Sequence, residues 1–141
     1  MINKGRFMKV LKNTALPILL AGIWISMSEF ARNELLFKHY WTSHYDKLGL
    51  VFPSGPVNGA VWGLWSILFA IAVYILSKRY SLTETTVLAW FTGFVLMWVV
   101  VGNLGLLPDG LLYAAVPLSF LEVFLAAYII RKFLPAEEYP S

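Results

Sequence analysis

Cysteine is absent from the 141 residues, which excludes a disulfide framework, a thiolate metal site and thiol redox chemistry. Charge is scarce as well. Only 13% of the residues are charged, where a soluble domain carries about a quarter, so polar groups are too few to clothe a water-facing surface. The sequence holds no HExxH, no Ser-His-Asp context and no glycine-rich phosphate loop, the usual marks of zinc proteases, hydrolases and nucleotide enzymes. It also lacks an internal repeat and a low-complexity tract. Net charge is only +3, and the basic residues stand at the ends of apolar runs. That distribution is a topology signal and not a nucleic-acid footprint. No nucleic acid, metal or cofactor is therefore expected, and no known family's motif is matched.

What the chain has in quantity is apolar surface: 59% of residues are hydrophobic, so the expected surroundings are a lipid bilayer. A hydrocarbon core about 30 Å thick takes roughly 20 apolar residues per helix. Four stretches meet this, at about 15–33, 57–77, 85–104 and 110–130. The first is entered through Asn13-Thr14, with Pro17 in its first turn. Its Ser26-Met27-Ser28 triplet weakly resembles a cleavage site, but the segment is read as a retained span. The third follows Ser81-Leu82-Thr83-Glu84, a capping-box pattern. The fold class predicted is all-α: a four-helix transmembrane bundle forming one integral membrane domain over residues 1–141.

Lys4, Arg6, Lys9, Lys12, Lys78, Arg79, Arg131 and Lys132 flank one side of these spans, against Arg32, Lys38 and Lys47 on the other. By the positive-inside rule both termini face the cytoplasm. The segment 34–56 is then an outer, aromatic-rich loop between helices 1 and 2. Tyr40, Trp41, Tyr45 and Phe52 suit the headgroup level, and an ordered cap lying on the bundle is expected.

Helices in lipid associate through small and polar residues. Span two offers Gly59, Gly63, Ser66 and Ala70 in phase, span one Gly22, Ser26, Glu29 and Asn33, and span four Ala115, Ser119, Glu122 and Ala126. Gly59, Gly63 and Ala70 are read as a helix-packing stripe. At about 1.5 Å of rise per residue, Glu29 lies about 6 Å below the outer boundary, Ser26, Ser66 and Ser119 roughly 10–14 Å, and Glu122 about 18 Å. This grading predicts an outward-facing polar pocket closed at its floor by Glu122.

Glu122 is the leading candidate, because a carboxyl among apolar residues is costly and marks a proton, ion or ligand site by default. Glu29 and Arg32 stand one turn apart and can pair. With Asn33, Asn103, Ser119, Ser66 and Ser26 they complete the ligand- or proton-binding set. His39 and His44, five residues apart, do not share a helical face and are read as interfacial residues. The activity expected is binding or transport of a small solute or proton. A non-catalytic assembly subunit comes next, then a membrane enzyme on a lipid-like substrate using Glu122 as general acid or base. A homodimer or a membrane partner protein is also in view.

Overall fold

The computed structural model describes residues 3–135. Among them every regular element is helical. Four helices are long and apolar enough to cross a membrane: α1 at Lys4–Leu36, α3 at Pro56–Ser77, α4 at Leu82–Asn103 and α5 at Leu112–Phe133. A shorter helix, α2 at Lys38–Lys47, follows α1 directly.

α1 begins earlier and ends later than the apolar run alone suggests. Its N-terminus is Lys4, where the Asn3 side chain accepts the Gly5 N–H at 3.0 Å. The Asn13-Thr14 pair does not start a helix; it lies inside a wide π-helical turn, Leu11–Ala15. The reason lies with Pro17, which has no N–H to return to the preceding turn. The Asn13 carbonyl accepts instead from the Tyr74 hydroxyl at 3.1 Å, and Thr14 Oγ1 meets the same hydroxyl at 3.0 Å. A second π-helical segment, Ala31–Leu36, carries α1 beyond Asn33. It closes where the Phe37 N–H donates to the Arg32 carbonyl at 2.8 Å, and there the chain turns into α2.

The other boundaries lie near those expected. α3 starts at Pro56, with the Asn58 side chain accepting the Gly55 N–H. Ser81 and Glu84 form the reciprocal capping box at the start of α4, with distances of 2.9 and 3.3 Å. α4 holds the third π-helical segment, Phe91–Val95.

α1 packs along α3 and α5, and α4 along α5 and α3, while α3 and α5 also touch. The shared core is built from Ala21 and Ile25 of α1, Phe69, Ala70 and Val73 of α3, Phe94 of α4, and Val123, Ala126, Ala127 and Ile130 of α5. Small side chains at these positions bring the backbones close, as expected where dispersion contacts drive association. Large apolar side chains cover the outside instead: Leu19, Leu64, Leu68, Val99 and Leu121 are all exposed.

The glycine stripe of α3 requires correction. Ala70 is buried, but Gly59 is exposed, and a Cβ built on Gly59 or Gly63 would meet nothing within 4 Å. The glycines that permit close approach are Gly22 and Gly93. A Cβ there would fall 2.5 Å from Ile67 Cδ1 and 2.5 Å from Phe69 Cε2 respectively. In-phase spacing identifies a face of a helix but not which neighbour, if any, it meets.

At the end of the bundle that carries α2, Phe37 and Trp41 pack against Leu111 and Ala115. Trp41 stacks on Phe52 with centroids 6.0 Å apart, and Tyr45 meets the same ring edge-on at 5.3 Å. His44 Nε2 lies 2.8 Å from the Gly105 carbonyl, tying α2 to the α4–α5 connection.

Candidate functional site: a buried carboxyl–guanidinium cluster

Glu29, Arg32 and Glu122 meet in the interior between α1 and α5. They are 5%, 6% and 1% exposed, which places three ionisable groups where water does not reach freely. Arg32 sits at the centre. Its Nη1 donates to Glu122 Oε2 at 2.9 Å, and its Nη2 donates to Glu29 Oε1. The planar fork of guanidinium donors makes this double engagement possible, with one arm for each carboxyl. The Phe94 ring lies 5.1 Å from the guanidinium carbon, adding a cation–π contact on the face that carries no hydrogen bonds.

A second ring of partners holds the carboxyls in place. Ser28 Oγ donates to Glu122 Oε2 at 2.7 Å, and the Trp24 indole N–H donates to the Glu122 backbone carbonyl at 3.0 Å. Asn33 Nδ2 donates to Glu29 Oε2 at 2.8 Å, and Asn33 Oδ1 in turn accepts from the Trp41 indole at 3.1 Å. Helical spacing explains the arrangement. Ser28 and Arg32 are four apart and present their polar ends to Glu122 from one row of α1, while Glu29 and Asn33, also four apart, pair along the adjacent row. Glu122 Oε1 is buried and receives no donor.

The structure brings together four of the residues singled out from sequence: Glu122, Glu29, Arg32 and Asn33. The others lie elsewhere. Ser119 and Ser66 are fully buried, but Ser119 donates to the Val116 carbonyl and accepts from the Trp90 indole, while Ser66 donates to the Trp62 carbonyl. Asn103 is exposed at the end of α4. Ser26 stands two residues before Ser28, about 200° around the helix, and does not share its row. Ser28, Trp24, Trp41 and Phe94 also join the cluster, and none of them is among the candidates that the sequence pattern marks. For Ser28 the signal was present, as the residue one turn before Arg32. Nothing local distinguishes Trp41 or Phe94 from other aromatics.

The depth grading is also corrected. Glu29 and Glu122 share one guanidinium, so they lie at one level and not about 12 Å apart as the sequence count implied. The π-helical extension of α1 moves Glu29 further from its helix end. The enclosed cluster is likewise no open pocket floored by Glu122. An open recess of about 340 Å³ lies instead among His39, Tyr40, Ser43, His44, Lys47, Pro108 and Asp109, none of which belongs to the cluster. No group of three residues fit to hold a metal ion occurs among the described residues. No family model, curated protein or solved structure matches the chain.

Proposed function

We propose that this chain is an integral membrane protein with both termini in the cytoplasm, and that it binds or carries a small solute or proton at the Glu29–Arg32–Glu122 centre. The membrane setting is supported by four apolar helices with apolar exteriors. The orientation is supported by the excess of Lys and Arg at one end of the spans. One observation carries the functional reading. Two carboxyls and one guanidinium lie buried inside helices of this kind, at a cost that a purely structural bundle avoids by using apolar side chains. Lipid is the first partner of such a protein, and a second copy or another membrane protein would meet it through the exposed apolar faces.

The second reading, a non-catalytic assembly subunit, has its own support: Arg32 and Ser28 tie α1 to α5 through Glu122, as a packing device would. Proteoliposomes carrying an internal pH dye separate the two. Under an imposed pH gradient, wild-type vesicles are expected to equilibrate faster than protein-free vesicles, and Glu122→Gln to remove the difference. Equal rates for wild type, variant and empty vesicles would leave the assembly reading in its place.

A further inference from the structure

We infer that the ligand of the buried cluster is a single proton, carried on Glu122 and shared with Glu29. The inference deepens the functional reading above and rests on it for its consequence in transport. It begins with stoichiometry. Two carboxylates against one guanidinium leave one negative charge uncompensated, and an unpaired buried charge is far too costly to persist. One positive charge must join the cluster.

Hydrogen bonding then selects its identity. Glu29 is served as a carboxylate on both oxygens, by Arg32 at Oε1 and Asn33 at Oε2. Glu122 is served on one only: Oε2 accepts from Ser28 and Arg32, and Oε1 has no donor. A metal cation such as calcium takes about 6–8 oxygen ligands, whereas the cluster leaves one oxygen unengaged. A proton needs one. Glu29 and Glu122 both engage the one guanidinium of Arg32, which holds the two carboxyls as neighbours, and two like charges so placed disfavour each other's ionisation. A proton on Glu122 turns that carboxyl into a donor to Glu29 and leaves its other oxygen accepting from Ser28 and Arg32. The aspartic-protease pair holds a proton between two carboxyls by the same logic.

Among the described residues, the charged or titratable groups facing Glu122 are Glu29 and Arg32 of α1. α4 contributes the Phe94 ring, and α2 reaches the cluster only through the Trp41–Asn33 bond. On α3 the buried Ser66 is bonded to its own helix and Tyr74 to Asn13 and Thr14 of α1. The other described carboxyls, Glu34, Asp46, Glu84 and Asp109, are not buried.

Infrared spectroscopy of the full chain in detergent at pH 7 tests this directly, through the carbonyl stretch of a protonated carboxyl and its shift in D2O. Wild type is expected to show one such band. Glu122→Gln removes it by removing the acid. Glu29→Gln also removes it, because Glu122 then faces Arg32 alone and has no second charge to share. The two variants are independent, so a folding failure in one leaves the other to decide. A wild type without the band, or a band of unchanged strength in Glu29→Gln, overturns the shared proton. A band with no proton flux in vesicles leaves the inference standing and removes the transport reading. Glu122-dependent flux with no band does the reverse.

Discussion

Arg32 makes contacts that no other residue in its position would reproduce. Its two arms reach two carboxyls on two helices while its face covers an aromatic ring, and a lysine ammonium offers neither the fork nor the plane. Removing it strands two acids in the interior. Arg32→Met is therefore expected to lower stability in detergent by about 3–5 kcal/mol, read as a fall in the unfolding midpoint. Adding Glu122→Met to the same chain should recover part of the loss, because the two sites are directly coupled. Glu122 and Glu29 were legible in the sequence because a charge inside an apolar run has few cheap explanations. Asn33 follows from Glu29 by helical spacing, and Ser28 from Arg32, one turn away on the same row. Trp41 does not, since it is reached only after the chain turns at Phe37, and no local periodicity encodes that turn.

Among the helices, the three wide turns and the glycines decide how faces meet. Two of the π-helical segments face one another across the cluster: Ala31–Leu36 contains Arg32, and Phe91–Val95 contains Phe94. Such turns are rare and recur at functional sites. Nothing in the residue pattern marks them, because one extra residue in a turn looks the same as a helix with a slightly shifted stripe. The glycines show a related limit. GxxxG on α3 reads as a packing motif, yet a Cβ at Gly59 or Gly63 would stand in open space, and one at Gly93 would meet the Phe69 ring. Gly93→Ala is expected to destabilise the chain by about 1–3 kcal/mol, the usual cost of overpacking. Gly59→Ala and Gly63→Ala should be neutral or slightly stabilising, since alanine is the better helix former. Thermal unfolding of the three variants side by side checks the contrast.

For the molecule as a whole, the existence and approximate placement of four apolar helices were plain from hydropathy, because roughly 20 predominantly apolar residues in a row have few other uses. Their ends were less plain. α1 runs for 33 residues, roughly 50 Å at helical rise, well beyond a hydrocarbon core of about 30 Å. The absence of native cysteine makes the proposed orientation simple to test with single introduced thiols. Arg79→Cys is expected to react with an impermeant maleimide only from the cytoplasmic side. Ser54→Cys and Asp109→Cys should react from the opposite side. The reverse labelling would invert the topology.

The pairing pattern within the cluster also bears on biosynthesis. Glu29 and Arg32 neutralise one another within a single helix, three residues apart, so α1 carries that compensation with it as it is made. Glu122 belongs to α5, and its charged partner Arg32 stands on a helix made ninety residues earlier. Arg32 and Ser28 therefore meet the Glu122 carboxyl only once both helices are made and packed.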